Sequence, residues 1–337
     1  MNSPTTRRTF IGTGLFAALA LAGCGGGSSS VGGATAAAEG GRETRVVKTI
    51  KGPVTVPNDP KRVVSVYPTT VSALYDYGFD PVGVYFVNPE GISPRFRSRW
   101  KEAERVGNLG ELDLAKIAAL EPDLIIGANY EWNTNYYTRL SKIAPTVMAP
   151  STEWQEAAHA IAAAVGAFEK LAELQKELAA RSAKIRNGFT GQLDAYRWDL
   201  LQEGGEGGEF LLYGPDSGPG GVLTGAGVRL ATGSAAVTEG EDASYSAIGE
   251  TAGLEGIVTG SEIEVLDGAD VIAYYASFDG GPKNETILFA QPQYQELSAV
   301  EKGRTVPLAN FLPNGYGDAL ALLEELESAL PNLGASV

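Results

Sequence analysis

The residues of this sequence best suited to binding chemistry are aromatic, and they recur at the ends of predicted β-strands. Ligands of open parallel sheets bind at the carboxyl ends of the strands, so aromatic side chains there would face one cleft. Tyr67 ends the first buried apolar run, for example, and Tyr130 follows the third. The aromatic candidates for ligand contact are Tyr67, Tyr85, Tyr130, Trp132, Tyr213, Tyr245, Tyr275 and Phe311. The pattern predicts a binding cleft that both halves of the chain line.

Three arginines alternate in a segment that we predict to be a loop: Arg95, Arg97 and Arg99. A guanidinium group suits polar or anionic oxygens, so we expect Arg97 and Arg99 to contact the ligand. The alternative is that these arginines only form a solvated face.

Residues typical of catalysis or of a metal centre are scarce. His159 is the single histidine and is expected to be structural, so a histidine-rich zinc or manganese site is excluded. The sequence contains neither a P-loop nor a Gly-x-Ser-x-Gly motif. Its 41 acidic residues could supply a carboxylate pair for hydrolysis, but no spacing singles one out. We therefore predict a protein that holds a ligand, is not an enzyme and has no resident cofactor.

The N-terminal sequence has the pattern of an export signal. Arg7 and Arg8 precede an apolar run at 15–22, which is too short to span a membrane, and the paired arginines indicate the Tat route. Leu-Ala-Gly-Cys, ending at Cys24, resembles the lipobox of bacterial lipoproteins. This resemblance implies a signal peptide over 1–24, a lipid on Cys24 and an extracytoplasmic protein held at the outer face of the cell membrane.

The rest of the chain carries a strong negative charge. Removing residues 1–23 removes Arg7 and Arg8, which leaves 24 basic residues against 41 acidic ones. Such a surface repels phosphates, so nucleic acid binding is set aside. Residues 25–44, rich in Gly, Ser and Ala, are expected to form a flexible tether.

A helical stretch at 153–188 is expected to connect two lobes, at 45–152 and 189–337. Apolar residues recur there at spacings of three and four, and Gly166 is expected to interrupt the run. Strands alternate with helices on both sides. The predicted fold class is α/β, with two Rossmann-like lobes, each a parallel sheet flanked by helices, joined by a single long helix.

Three segments carry a resemblance to a known family. They are 54–64 (VTVPNDPKRVV), 114–126 (LAKIAALEPDLII) and 297–306 (LSAVEKGRTV). They resemble the substrate-binding lipoproteins of iron-siderophore ABC importers. The resemblance implies a monomer with a shallow cleft and limited hinge motion, which delivers a ferric chelate, haem or a corrinoid to a membrane permease.

The resemblance also implies one docking glutamate on each lobe, to pair with arginines of the permease. Glu262 matches the position in the second lobe. In the first lobe the family pattern Leu-Glu-x-Ile is replaced by Leu114-Ala115-Lys116-Ile117, so we expect Glu111 or Asp113 to substitute.

The chemistry of the candidate residues indicates the class of ligand. A trianionic catecholate would need many arginines, so the few available favour a ferric hydroxamate, with iron bound only through the chelate. Haem or a corrinoid remains an alternative, since tyrosine is available as an axial ligand. From another class, an exported enzyme acting on the cell envelope also remains open.

Overall fold

The structure is a computed structural model, and it describes residues 43–86, 92–108, 110–151, 153–203, 210–231, 254–258, 260–276 and 289–333. The predicted signal, most of the tether, Cys24 and Tyr245 lie outside these residues. Within the described part of the chain, no helix combines the length and the apolar character needed to cross a membrane.

The first lobe is built on a parallel sheet. Its strands are β1 (Thr44–Thr49), β2 (Gly52–Pro57), β3 (Val63–Ser65), β4 (Gly83–Val84), β5 (Glu104–Arg105), β6 (Gly107–Asn108), β7 (Glu111–Leu112), β8 (Leu124–Ala128) and β9 (Thr146–Ala149). Five of them form the sheet in the order β5-β4-β3-β8-β9, with every neighbouring pair parallel. Residues of β3 and β8 are fully buried, as in a sheet covered on both faces. The strands β1 and β2 pair antiparallel and form a separate hairpin.

Six helices accompany this sheet: α1 (Thr70–Asp76), α2 (Arg97–Glu102), α3 (Leu114–Ala119), α4 (Glu131–Thr134), α5 (Tyr137–Leu140) and α6 (Trp154–Val165). The segment of alternating arginines, predicted to be a loop, is therefore helical from Arg97 onwards. Trp100 accounts for this difference, since it is buried on α2 and anchors one face of that helix.

The predicted connecting stretch consists of two helices, and the expected break at Gly166 is confirmed. Gly166 ends α6 in a left-handed conformation with φ of 78°, which glycine adopts without steric cost. Ile161 of α6 packs into the core of the first lobe, so α6 belongs to that lobe. The second helix, α7 (Phe168–Gly188), buries Leu171 in the first core and Ile185 in the second. Of these two helices, only α7 places buried residues in both cores, as a connecting helix would.

The second lobe follows α7. It contains α8 (Thr190–Ala195), β10 (Arg197–Glu203), β11 (Phe210–Tyr213), α9 (Gly218–Gly225), β12 (Arg229–Leu230), β13 (Leu254–Val258), a 3-10 helix (Gly260–Gly268), β14 (Val271–Tyr275), α10 (Pro292–Gln295), α11 (Ser298–Glu301), β15 (Thr305–Leu308), α12 (Tyr316–Ala329) and a 3-10 turn (Leu330–Asn332). The sheet order is β13-β11-β10-β14-β15, with β12 also beside β10. Long helices and a sheet in each half confirm the predicted α/β class.

Two details of the second sheet differ from the prediction. The sheet is mixed, because β11 runs antiparallel to both β10 and β13. Its central strand, β10, was not predicted, since charged residues interrupt the apolar pattern that marks a buried strand. Asp199 of β10 is fully buried nevertheless.

The glycine-rich segment at 214–227, expected to be a loop, contains helix α9. Ser217 caps this helix by accepting a hydrogen bond from the Gly220 N–H at 3.0 Å, and Pro219 lies in its first turn. The cap and the proline thus outweigh the low helix propensity of the glycines.

Candidate functional site

A cavity of about 290 Å³ lies between the two lobes. Its volume is close to the lower end of the range for small-molecule pockets, roughly 300–1,000 Å³. Two strands of the second sheet, helices α1, α6, α9 and α12, and the loops that follow strands of both sheets line it. The lining residues are Pro68, Thr69, Val71, Ser72, Tyr75, Ile92, Ser93, Phe96, Tyr130, Pro150, Ser151, Glu153, Trp154, Ala157, Tyr213, Gly218, Pro219, Tyr275, Ala309, Asn310, Leu312, Pro313, Asn314 and Asp318.

On the first lobe, a stacked pair of tyrosines follows two neighbouring strands. The rings of Tyr67 and Tyr130 lie 4.8 Å apart at an interplanar angle of 17°, and Tyr130 lines the cavity. The Tyr130 hydroxyl donates to the Ser151 carbonyl at 3.2 Å, which orients the ring. Burial is the main cause that raises the pKa of Tyr67, so its phenol stays neutral at physiological pH.

A buried asparagine, Asn133, holds the ends of these strands in place. Its side chain donates to the Val66 carbonyl at 3.1 Å and accepts from the Ala128 N–H at 3.0 Å. Asn133 is fully buried, and it was not among the predicted site residues. Its place on α4, directly after β8, is the signal that could have found it.

On the second lobe, three of the predicted aromatics form one cluster. Tyr213 and Tyr275 line the cavity, and Phe311 lies behind them, fully buried. Phe311 meets Tyr213 edge-on at 5.0 Å and lies 6.1 Å from Tyr275 in a stacked arrangement. Tyr213 is next to the Leu201–Leu212 pair of the antiparallel strand β11. Tyr213 is the last residue of its strand, but because β11 runs antiparallel to β10, the rule for the carboxyl ends of parallel strands does not explain its place in the cavity lining.

The two arginines predicted to contact the ligand, Arg97 and Arg99, lie away from the cavity. Arg99 pairs with Asp80 at 2.5 Å and lies over the ring of Tyr75, with its carbon Cζ 4.6 Å from the ring centroid. Arg97 donates to the Ile92 carbonyl at 3.4 Å. Neither residue lines the cavity, so neither lies where a ligand contact was expected. The reason is that α2 turns their side chains towards the protein, where backbone carbonyls and Asp80 take up their donors.

The remaining predicted residues are separate from the cavity or lie outside the described residues. Tyr85 is buried in the first-lobe core, where its hydroxyl accepts a hydrogen bond from the Gly110 N–H. The described structure does not include the side chains of Trp132, on α4, or of Glu262, in the 3-10 helix. Glu111 is exposed on β7, whereas Asp113 accepts from the Lys116 N–H and caps α3.

Two buried carboxylates meet beside the cavity at the junction of the lobes. Asp76, the last residue of α1, accepts a hydrogen bond from the Gly317 N–H of α12 at 2.8 Å. Asp318 follows on α12 and lines the cavity. Arg95 lies 3.8 Å from Asp76 and 4.0 Å from Asp318. One half-exposed guanidinium thus faces two carboxylates.

Burial dominates the electrostatics of this cluster. It raises the pKa of Asp76 to about 7, with a further upward contribution from Asp318 that Arg95 opposes. Burial also raises the pKa of Asp318 above its ordinary value. Both carboxylates are consequently harder to ionise than solvated ones.

Sequence reasoning missed Trp154 as well as this cluster. Trp154 opens α6 just after β9, lines the cavity and contacts Tyr316 edge-on at 4.9 Å. The same strand-end rule that selected Tyr130 would have found it. No comparable signal marks Asp318, because an acidic residue in the first turn of a helix is ordinary.

The single histidine is exposed, and its ring centroid lies 5.3 Å from that of Phe168 in a tilted arrangement. Its structural role stays a prediction. Among the residues that the structure describes, no group of three or more His, Cys, Asp or Glu could hold a metal ion.

Comparison with known proteins gives consistent results. The profile of a family described as "Periplasmic binding protein" matches residues 63–309. The Fe(3+)-citrate-binding protein YfmC of Bacillus subtilis is 32% identical over 181 residues, which cover 53% of this chain and 56% of that protein. The iron(3+)-hydroxamate-binding protein FhuD of the same organism is 31% identical over 227 residues, covering 63% of this chain and 66% of FhuD. The match thus spans between half and two thirds of each relative.

Solved structures extend the similarity over most of the fold. The siderophore periplasmic binding protein from the fuscachelin gene cluster of Thermobifida fusca superposes with a TM-score of 0.68 at 25% identity. That match covers 82% of this chain and 98% of the other. Staphylococcus aureus SirA, solved in complex with staphyloferrin B, gives the same TM-score at 19% identity, which shows a shared fold.

Proposed function

Because this chain belongs to the periplasmic binding protein family, we propose that it is the substrate-binding component of an ABC importer and that its ligand is a ferric hydroxamate siderophore. The protein captures the chelate in the cavity between its lobes and delivers it to a membrane permease. The family is a class of binding proteins, which favours this role over that of an exported enzyme.

The observation that carries the proposal is the aromatic lining that both lobes contribute to one cavity. Tyr130 from the first lobe and Tyr213 and Tyr275 from the second supply apolar faces and phenol groups to the same space. Burial raises the pKa of Tyr213, and its hydroxyl donates to Gln202 Oε1 at 2.6 Å, so it stays a neutral phenol and is not a phenolate ligand for iron. This chemistry suits the apolar edges and polar oxygens of an intact chelate.

The charge of the lining favours a hydroxamate over citrate, although relatives are named for each. Ferric citrate and ferric catecholates are anionic. Among the described lining residues, Glu153 and Asp318 are acidic and none is Lys or Arg. A neutral or cationic chelate avoids the repulsion that an anionic one would meet.

The proposal is tested by titrating the purified protein with ferric hydroxamates, ferric citrate, a ferric catecholate, haemin and a corrinoid. Trp154 lines the cavity, so tryptophan fluorescence should report binding there. We expect saturable quenching by a hydroxamate at micromolar concentration or below. Saturation by haemin or the corrinoid alone would replace the proposed ligand, and no response to any of them would contradict the binding role.

Tyr130→Ala should weaken hydroxamate binding about tenfold or more, because it removes an aromatic face and breaks the stack on Tyr67. Tyr137→Ala is the matched control, since Tyr137 lies on α5 and does not line the cavity. Equal dissociation constants for Tyr130→Ala and the parent would remove this tyrosine from the binding site.

Delivery to the permease requires two further features, which we also propose. Lipid on Cys24 keeps the protein at the membrane surface, and Glu262 and Glu111 dock on the permease. The exposure of Glu111 is compatible with docking. The docking roles of Glu262 and Glu111 stay predictions.

Cells that carry Cys24→Ser or Glu262→Lys should take up ferric hydroxamate several-fold more slowly than cells with the parent protein. The reason is lost anchoring in the first case and charge reversal at the docking surface in the second. Chelate affinity of the purified variants serves as the control and should match that of the parent. Unchanged uptake would exclude the corresponding residue from delivery.

A further inference from the structure

Asp318 has an unusual environment for a carboxylate in a ligand cavity. The residue is only 5% exposed, although it lines the cavity. Its Oδ2 accepts from the Asn314 N–H at 3.2 Å, and the Ser72 hydroxyl also interacts with the carboxylate. Its Oδ1 is buried and accepts no hydrogen bond. A buried acceptor without a donor is costly, so the site is incomplete as it stands.

The nearest cation does not complete it. Arg95 lies 4.0 Å from Asp318 Oδ1, beyond hydrogen-bonding distance, and the same guanidinium faces Asp76 at 3.8 Å. Its side chain is 43% exposed, so solvent weakens its field. When both carboxylates are ionised, the cluster therefore carries one uncompensated negative charge next to the cavity.

Nothing else that lines the cavity offsets this charge. Glu153 is the other charged lining residue among those described, and it is acidic too. The aromatic rings of Tyr130 and Trp154 line the same space and offer surfaces on which a cation or an alkyl chain can lie. The cavity thus combines a buried acceptor, excess negative charge and aromatic faces.

We propose that the ligand carries a free ammonium group and that Asp318 Oδ1 accepts a hydrogen bond from it. This inference rests on the proposed function, since it specifies the ferric hydroxamate as a cationic one with a primary amine arm. The ammonium supplies the missing donor and neutralises the excess charge, while the aromatic surfaces hold the rest of the chelate.

The pH dependence has a definite sign. Burial raises the pKa of Asp318, and Asn314, Arg95 and Ser72 oppose this rise. Asp76 faces the guanidinium group of the same Arg95. An alkylammonium stays protonated up to about pH 10. Affinity for an amine-bearing chelate therefore rises as increasing pH ionises Asp318, and affinity for an uncharged chelate does not follow the same course.

The test compares ferrioxamine B, which ends in a primary amine, with its N-acetylated form. Both chelates coordinate iron through the same three hydroxamates. At pH 7.5 the parent protein should bind the amine form about tenfold more tightly or better, as expected for a charge-assisted hydrogen bond. The preference should decrease towards pH 5.

Asp318→Asn should bring the ratio of the two dissociation constants close to one. Asp216→Asn is the matched control, because Asp216 is exposed near Glu153 but does not line the cavity, and it should keep the preference. Equal affinity of the parent for both chelates, or a preference retained in Asp318→Asn, would overturn the inference and leave hydroxamate binding intact. Binding of neither chelate would instead contradict the proposed function. If Asp318→Asn does not fold, the dissociation constants of the parent protein for the two chelates still test the inference.

Discussion

Phe311→Ala is expected to lower the free energy of unfolding by about 4 kcal/mol, within the range for removing a fully buried phenylalanine. Phe311 is 0% exposed and lies in the core of the second lobe. Its loss would leave a cavity directly behind Tyr213 and Tyr275. Chemical denaturation measures the change, and thermal unfolding should show a midpoint lower by about 10 °C.

The same substitution at Phe168 is the control for this prediction. Phe168 is 49% exposed, so Phe168→Ala should change stability by less than about 1 kcal/mol. The affinity of Phe311→Ala for the chelate should also fall, because both tyrosines lose their support. Stability within about 1 kcal/mol of the parent would mean that the second lobe does not depend on this ring.

Asp76→Asn is expected to stabilise the protein at pH 8 and to have a distinctly smaller effect at pH 5. Burial raises the pKa of Asp76 to about 7 in the folded state, from an ordinary value of 3.8. Folding therefore binds a proton between these two pH values, so the parent loses stability as the pH rises from about 4 to 7. The loss is at most about 4 kcal/mol at pH 8, from 1.36 kcal/mol for each unit of pKa.

The asparagine avoids this loss and keeps the contact between the lobes. Its amide oxygen can still accept the hydrogen bond from the Gly317 N–H. Thermal unfolding of both proteins from pH 5 to 8 measures the difference. Asp80→Asn is the control, because the side chain of Asp80 is 68% exposed and its effect should not vary over this range. A stability difference for Asp76→Asn that does not depend on pH would show that burial does not perturb this carboxylate.

Local sequence patterns were sufficient for the class of fold and for several element boundaries. The spacing of apolar residues predicted α7, and Gly166 predicted the break before it. Strand-end aromatics predicted a cleft, and three of them, Tyr130, Tyr213 and Tyr275, line the cavity. Their contact with a ligand stays a prediction, as do the roles of Tyr67 and Phe311, which support these rings.

The same reasoning failed where long-range contacts decide. β10 is the centre of a sheet although its sequence is interrupted by charge, because its neighbours on both sides bury it. Arg97 and Arg99 have the chemistry of ligand contacts, but helix α2 turns them towards other partners. Residue type alone does not give the direction of a side chain.

The sequence by itself determined the α/β alternation, the connecting helix, the acidic balance and the aromatic character of the cleft, because these depend on periodicity and composition along the chain. Only the tertiary structure decided that Asp76 and Gly317, 241 positions apart, meet at the junction of the lobes. It also decided that Asp318, which lines the cavity, is buried with one carboxylate oxygen that accepts no hydrogen bond. The physical reason is that the energy of a buried charge depends on which distant groups surround it, and chain folding alone brings those groups together.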